Sequence, residues 1–321
     1  MDAVAIGELL IDLTETARGG DGYPILEAHP GGAPANYLAA LAKYGKNTAF
    51  IGKVGDDAFG ALLLRTLAEA GIDTRGVVTD AESFTTLAFV TLDGAGERSF
   101  SFARKPGADT RLRPEEVDRR LIDGTRVLHF GTLSLTDEPA RSAVRESVAC
   151  ARRQGKLLSF DPNYRAALWA SERAAAEWTA WGAEAADVVK LSDEEGRLLT
   201  GAGPEETARI LTERFGAGLA LVTLGAEGCL LRSRKAAVRL RPPAVAARDT
   251  TGAGDIFGGA AMARLLELGR EPGSLDGDAL REIGAFASAA AALSTLVPGG
   301  IPSVPERSAV ESAAKKCVEI Y

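Results

Sequence analysis

The stretch "RDTTGAGDIFGGA", residues 248–260, places one carboxylate at the end of a glycine turn, where a helix is predicted to begin. The small residues Gly252, Ala253 and Gly254 leave successive backbone N–H groups exposed, and a helix starting near Asp255 adds the positive end of its dipole. The turn therefore indicates an anion-binding site. A carboxylate beside a phosphate makes chemical sense when it accepts a proton from a hydroxyl that attacks that phosphate. Asp255 is thus a candidate general base, and an ordinary helix cap is the alternative.

Length and composition predict a folded protein with ample apolar material for one large domain or two smaller ones. The chain has 321 residues, of which 46% are hydrophobic and 25% charged, and its net charge is -7. This charge gives no general attraction for nucleic acid or anionic membranes, so we expect neither as a partner. The N-terminus has no signal-peptide character and no apolar run reaches membrane-spanning length, so we expect a cytoplasmic protein.

Apolar strand patterns alternate with helical patterns along most of the chain. This alternation predicts a mostly parallel sheet covered by helices on both faces. The predicted strands are residues 3–7, 48–55, 127–131, 157–161, 187–192 and 219–225. The predicted helices are residues 33–44, 58–71, 138–154, 171–185, 193–200 and 204–215.

One region departs from this alternation. Residues 85–104 contain two β-rich arms around "DGAG" (93–96), a pattern typical of an antiparallel hairpin. Such a hairpin is either an edge decoration or a lid over a site. Residues 12–30 read as irregular and are expected to supply more of the same flap.

Two further segments carry candidate binding residues. In "HPGGAPANYLAALAKYG" (29–45), Gly31 and Gly32 permit close backbone approach to a ligand, and Asn36 offers a donor and an acceptor suited to a sugar hydroxyl. Asp12 follows the first strand, at the carboxyl edge where parallel sheets bind ligands. A solvent-facing asparagine and a surface carboxylate are the respective alternatives.

A nucleotide could lie along the end of a later strand. In "VTLGAEGC" (222–229), Thr223 and Gly225 follow the strand and Gly228 comes shortly after. The chain contains no GxxxxGK[ST] phosphate loop and no GxGxxG after its first strand, which excludes P-loop and simple dinucleotide-binding signatures.

Together these segments resemble the ribokinase-like (PfkB) family of sugar kinases. "GGAPANYLAALAKYG" is similar to the N-terminal signature of that family, and "DTTGAGDIFGGA" to its C-terminal signature. The subgroup resemblance is to fructokinases, through "GELLIDL", "FIGKVGDDAFG" and "DPNYR". The resemblance implies a three-layer αβα fold with a mostly parallel central sheet and a small β-sheet lid. It further implies one domain over residues 1–321, with lid segments at about 12–30 and 84–104.

The resemblance also implies roles for residues. Asp255 would deprotonate a sugar hydroxyl that attacks the γ-phosphate of ATP, while the backbone amides of Gly252, Ala253 and Gly254 would stabilise the phosphoryl group. The candidate sugar-binding residues are Asp12, Gly31, Gly32, Asn36, Arg104 and Arg165. The candidate nucleotide-binding residues are Lys190, Thr223, Gly225, Gly228, Gly252, Gly254 and Ser288.

Metal sites are implied in two places. "KLSDEE" (190–195) resembles a metal and phosphate segment, in which Glu195 is the candidate magnesium ligand; Ser192 stands where the family often has asparagine. A monovalent cation such as potassium would bind between two loops. The residues matching that site are Asp249, Thr251, Ser294, Val297, Gly299 and Ser303.

The expected reaction is ATP-dependent phosphorylation of D-fructose to fructose 6-phosphate. The pair Arg104 and Arg165 keeps 2-keto-3-deoxygluconate open as substrate, because paired arginines suit a carboxylate. Another sugar or a nucleoside is also open. A non-catalytic sugar-binding relative would be expected to lose Asp255 or the glycine turn, and this chain keeps both. The sequence leaves the oligomeric state open: the apolar face of the lid could be buried in a homodimer or equally within one chain.

Overall fold

The computed structural model describes residues 1–92 and 98–320. The strands in this part are β1 (Ala3–Ile6), β2 (Leu10–Arg18), β3 (Pro24–Gly31), β4 (Thr48–Gly55), β5 (Ile72–Asp80), β6 (Leu87–Leu92), β7 (Arg98–Ala103), β8 (Val127–Phe130), β9 (Leu157–Phe160), β10 (Val188–Ser192), β11 (Leu219–Thr223), β12 (Cys229–Ser233), β13 (Ala237–Arg241) and β14 (Val318–Glu319). The α-helices are α1 (Ala33–Lys43), α2 (Ala58–Glu69), α3 (Arg119–Asp123), α4 (Ala140–Arg153), α5 (Glu172–Ala185), α6 (Asp193–Thr200), α7 (Pro204–Glu213), α8 (Ala253–Leu268), α9 (Gly277–Ser294) and α10 (Arg307–Ala314).

The large sheet confirms the predicted mostly parallel core. Its strand order is β14-β13-β12-β11-β10-β9-β8-β1-β4-β5. The strands from β5 to β11 in that order pair in parallel, and β12, β13 and β14 extend the sheet as antiparallel strands. Because inner strands such as β1 and β8 are buried on both faces, their sequences are apolar runs, whereas the edge strand β5 is partly exposed and more polar.

Helices cover both faces of this sheet, which gives three layers. Along β1, Ala3 and Ala5 pack into one apolar cluster and Val4 and Ile6 into the other, as alternate residues of a strand must. Residues of α1, α8 and α9 belong to the first cluster, and residues of α4, α5 and α7 to the second. The predicted αβα architecture is therefore confirmed.

A second, four-stranded sheet has the order β3-β2-β6-β7. Strands β6 and β7 pair antiparallel, which confirms the two arms of the predicted hairpin, while its "DGAG" turn (93–96) lies outside the described residues. The prediction that residues 12–30 are irregular was wrong, because β2 and β3 form an antiparallel pair there. Burial falls steadily along β2 instead of alternating, so the strand carries no period-two pattern in its sequence.

Two helices that begin at glycines pack closely together. Helix α1 follows Gly32 (φ +118°), and α8 follows Gly252 (φ +74°), both in a region that favours glycine. Helix α8 starts at Ala253, two residues before the position predicted from the sequence. This contact brings the start of α1 and the start of α8 to the same edge of the large sheet.

The α1–α8 contact predicts opposite effects for two neighbouring glycines of α8. A Cβ at Gly259 would overlap the carbonyl oxygen of Tyr37 and lie 2.8 Å from the Cβ of Ala40, whereas at Gly258 the nearest atom is 3.5 Å away. We expect Gly259→Ala to lower the free energy of unfolding by about 1–3 kcal/mol. Gly258→Ala should leave it unchanged or raise it by up to about 1 kcal/mol, since alanine favours helix. Denaturant titration of both variants checks this, and equal effects would contradict it.

Candidate active site

A cavity of about 370 Å³ lies between the carboxyl edge of the large sheet and the small sheet. It brings together most of the residues singled out from the sequence. Those that line it are Asp12, Gly32, Asn36, Arg165, Lys190, Ser192, Glu195, Thr223, Thr251, Gly252, Gly254 and Asp255. The small sheet contributes Asp12 from β2 and Phe102 from β7, so it covers the cavity as a lid would.

Asp255 is held by a hydrogen bond across the α1–α8 contact. Asn36 Nδ2 donates to Asp255 Oδ2 over 2.9 Å. Burial raises the pKa of Asp255 above its ordinary value, against the opposing effects of the Lys190 charge, the Asn36 hydrogen bond and the Arg165 charge. A buried carboxylate with a raised pKa has the proton affinity that a general base needs.

The two glycines of the turn lie close to neighbouring groups. A Cβ at Gly252 would lie 2.8 Å from Gly300 Cα, and one at Gly254 would lie 3.0 Å from Lys190 Nζ. Gly252 and Gly254 line the cavity, whereas Ala253 does not, and its N–H donates to the carbonyl of Thr250 over 3.3 Å. An anion at the start of α8 would thus meet backbone N–H groups and the Lys190 ammonium together.

Lys190 forms a buried ion pair that the sequence analysis missed. Its Nζ lies 2.7 Å from Asp161 Oδ2. Burial raises the pKa of Asp161, with the Lys190 charge opposing and the nearby charges of Glu195 and Asp255 adding to the rise. Asp161 belongs to the motif "DPNYR", but the motif alone does not show that its aspartate contacts a lysine of the neighbouring strand.

Glu195 is fixed by backbone donors. Its Oε1 accepts from the N–H of Tyr164 over 2.8 Å, and its Oε2 accepts from the N–H of Ser192 over 2.7 Å. The Ser192 hydroxyl in turn accepts from the N–H of Glu195, which completes a capping box at the start of α6. The carboxylate is therefore rigidly placed at the cavity wall, and its role as a magnesium ligand stays a prediction.

The part of the cavity that Asp12 and Asn36 line is rich in hydrogen-bond acceptors. Gly31 leaves space for the Asp12 carboxylate, because a Cβ there would overlap it. Asn36 Oδ1 is buried without a hydrogen-bond partner among the described residues, and Asn36 lines the cavity. These acceptors suit the hydroxyl groups of a sugar.

Arg104 lies behind the cavity wall rather than in it. Its side chain is 4% exposed, and its guanidinium donates to Asp109, to Thr136 Oγ1 and to the carbonyl of Leu133. Arg165 does line the cavity, and it donates to the carbonyl of Tyr164 over 2.9 Å. Direct contact of Arg104 with a ligand stays a prediction.

The predicted nucleotide positions are spread more widely. Thr223 lines the cavity, and Gly225 and Gly228 form the turn after β11, with φ of +57° and +106°. Ser288 is buried on α9, where its hydroxyl lies 3.2 Å from Cys229 Sγ. Contact of Gly225, Gly228 and Ser288 with a nucleotide stays a prediction.

The two loops of the predicted cation site are joined by one carboxylate. Asp249 Oδ1 accepts from the N–H and hydroxyl of Thr251, and its Oδ2 accepts from the N–H of Gly299 over 2.8 Å. The hydroxyls of Ser294 and Ser303 donate to backbone carbonyls, and the N–H of Val297 donates to the carbonyl of Ser294. Binding of a monovalent cation between these loops stays a prediction.

Glu8 is a cavity residue that the sequence analysis did not single out. It is 1% exposed, and its Oε1 accepts from the N–H of Ala33, the first residue of α1, over 3.2 Å. Burial raises its pKa to about 7, with the Asp109 and Asp255 charges adding to the rise and the Arg104 charge opposing it. The sequence shows a glutamate in "GELLIDL", but it does not show that this side chain is buried in the folded protein.

Comparison with known proteins identifies the family. The sequence pattern described as "pfkB family carbohydrate kinase" matches residues 2–307. The chain belongs to this family. The family membership makes the chain a sugar kinase, with the ribokinase-like fold predicted from its sequence.

Relatives of this pfkB kinase are fructokinases. It is 41% identical over 318 residues to probable fructokinase-4 of Arabidopsis thaliana, covering 97% of this chain and 96% of that one. A fructokinase from Xylella fastidiosa with bound ATP superposes with a TM-score of 0.89, at 32% identity and 98% coverage of both chains. A fructokinase double mutant from Vibrio cholerae O395 with fructose, ADP and a potassium ion gives 0.85, at 31% identity and 98% coverage of both chains.

No helix in residues 1–92 and 98–320 of this pfkB kinase combines the length and apolarity needed to cross a membrane.

The raised pKa of Glu8 predicts a pH-dependent stability difference. The folded protein keeps the proton up to about pH 7, whereas the unfolded chain releases it near its ordinary value of 4.5. The contribution of Glu8 to stability is therefore full at low pH and lost as pH rises through about 7. As pH rises from about 5 to about 8, the free energy of unfolding of Glu8→Gln should therefore increase relative to that of wild type by on the order of 3 kcal/mol.

Denaturant titrations at both pH values check this, with the exposed Glu69→Gln as a control for the loss of one surface charge. A gap between Glu8→Gln and wild type that is the same at both pH values would contradict the prediction.

Proposed function

We propose that this protein transfers the γ-phosphoryl group of ATP to the 6-hydroxyl of D-fructose, giving fructose 6-phosphate and ADP. One observation carries the proposal: the buried Asp255 carboxylate lies beside both the glycine turn and the acceptor-rich end of the cavity, and Asn36 holds it there over 2.9 Å. The fructokinase relatives, and the ATP and fructose complexes among the similar structures, support the choice of substrates.

The arrangement performs the transfer as follows. Asp255 accepts the proton of the primary hydroxyl as that oxygen bonds to the γ-phosphorus, and the bond from phosphorus to the ADP oxygen breaks. Backbone N–H groups at Gly252 and Gly254 and the Lys190 ammonium stabilise the negative charge of the transferring group. Asp161 positions Lys190 for this role over 2.7 Å.

The charges in the cavity favour a neutral sugar over an acid sugar. Arg104, half of the arginine pair that suggested 2-keto-3-deoxygluconate, is 2.6 Å from Asp109 and already neutralised by it. Asp12 and Asp255 line the cavity, and Lys190 is already paired with Asp161, so a substrate carboxylate would meet negative charge. Hydroxyl groups, in contrast, donate to such acceptors. The presence of Asp255 and both glycines argues against a non-catalytic relative.

Two metal ions belong to the proposal. Magnesium would neutralise phosphate charge, with Glu195 as the candidate protein ligand. Potassium would lie between the loops that Asp249 joins and would add positive charge close to the start of α8. The potassium ion in the Vibrio cholerae structure supports this second choice.

The small sheet is proposed to close over bound sugar, within a single domain of residues 1–321. Closure would exclude water and limit wasteful hydrolysis of ATP.

A homodimer through this lid stays a prediction. Tyr23, Ile25 and Leu26, at the outer edge of the lid, are exposed and give it an apolar surface.

Loss of the base should abolish turnover without unfolding the protein. Asp255→Asn keeps the shape of the side chain and its contact with Asn36 but removes the proton acceptor. We expect kcat to fall by roughly 10²–10⁴-fold, measured by coupled ADP release, with circular dichroism as the control for folding. Retention of more than about a tenth of wild-type kcat would contradict a base catalyst.

The substrate is tested by a panel of sugars, with and without potassium. We expect the highest kcat/KM with fructose and a lower value with 2-keto-3-deoxygluconate, in wild type and in Arg165→Ala. If wild type instead prefers the acid and Arg165→Ala loses that preference, the substrate is the acid sugar. The roles of Asp255 and the glycine turn in phosphoryl transfer would then still stand.

A further inference from the structure

Glu8 has one oxygen that the fold does not account for. Its Oε1 accepts from the N–H of Ala33 at the start of α1. Helix α1 needs this acceptor because its N-cap residue, Gly32, has no side chain. Oε2, in contrast, is buried and has no hydrogen-bond partner in the part of the chain that the structure describes.

Capping α1 alone would not require a glutamate. Glutamine has the same shape, offers one oxygen to the Ala33 N–H, and stays neutral at every pH in a site that is 1% exposed. A buried acceptor that stays unpaired costs about 1–3 kcal/mol. The second oxygen therefore calls for a partner that the protein chain does not supply.

The position of Glu8 points to the kind of partner. Glu8 lines the same cavity as Asp12, Asn36 and Asp255, at the end that is rich in acceptors. A phosphate or carboxylate is disfavoured there, because the carboxyl groups of Asp12 and Asp255 line the same cavity. A neutral hydroxyl can donate to Oε2 without adding negative charge.

We propose that Glu8 is a substrate-binding residue whose Oε2 accepts a hydrogen bond from a sugar hydroxyl other than the one that is phosphorylated. Through Oε1 and Ala33, the same carboxylate fixes the start of the helix that carries Asn36, the partner of Asp255. Sugar bound to Glu8 is thereby placed relative to the base. This inference rests on the proposed sugar kinase function.

The test combines Glu8→Gln with sugars that each lack one hydroxyl. Binding of fructose and of its monodeoxy analogues is measured by titration calorimetry without nucleotide, and kcat/KM by ADP release. Glu8→Gln should weaken binding of fructose roughly tenfold or more. For the one analogue that lacks the partner hydroxyl, wild type and variant should bind equally.

A matched control separates this role from a general effect of charge. Glu194→Gln removes another carboxylate that lines the cavity, from an exposed position on α6. It should change the affinity for fructose and all analogues by the same factor. Uniform losses for Glu8→Gln across every analogue, or no loss at all, would overturn the proposal.

Failure of the proposed function gives a different result. If wild type releases ADP with another neutral sugar but not with fructose, the substrate assignment fails, and the same comparison is made with the deoxy analogues of that sugar. If calorimetry finds no neutral sugar that binds, Glu8 has no hydroxyl to accept from and the proposal is overturned.

Discussion

The site depends on the hydrogen bond between Asn36 and Asp255. It joins two residues that are 219 positions apart in the chain, each in the first turn of its helix. The bond can form because Gly252 and Gly259 let α8 approach α1 to a distance that no side chain would allow. These two glycines of the C-terminal signature therefore serve one structural requirement, which is the close approach of α8 to α1.

Around this bond, the cavity separates two electrostatic environments. Lys190 and the start of α8 make one end attractive for phosphate, while Glu8, Asp12 and the Asn36 oxygen make the other end attractive for hydroxyl groups. Asp255 lies where the two environments meet. Burial raises its pKa, and the lysine charge limits that rise, so the two effects together set its proton affinity.

The fold was largely predictable, because buried parallel strands and amphipathic helices leave strong patterns. The lid strands at residues 12–30 were not, since β2 passes from buried to exposed along its length and shows no alternation. In the site, the glycine turn made Asp255 a candidate base with an ordinary helix cap as the alternative, and the family resemblance favoured the base. Asp161 and Glu8 could not be identified that way, because burial and pairing with Lys190 or Ala33 arise only in the folded chain. The same limit applies to Arg104, whose pairing with Asp109 depends on the path of the chain between them.

The carboxylate of Asp249 has a consequence for local stability. By accepting from the N–H of Gly299, 50 residues further along, it closes the chain from the active-site turn through α8 and α9 into a loop whose ends are tied together. The N–H groups of Arg248 and Asp249 also donate to the carbonyl of Thr295, so several bonds join the active-site turn to the end of α9. Fraying at the end of α9 would break these bonds, so we expect the active-site turn to loosen at a lower free energy than global unfolding requires.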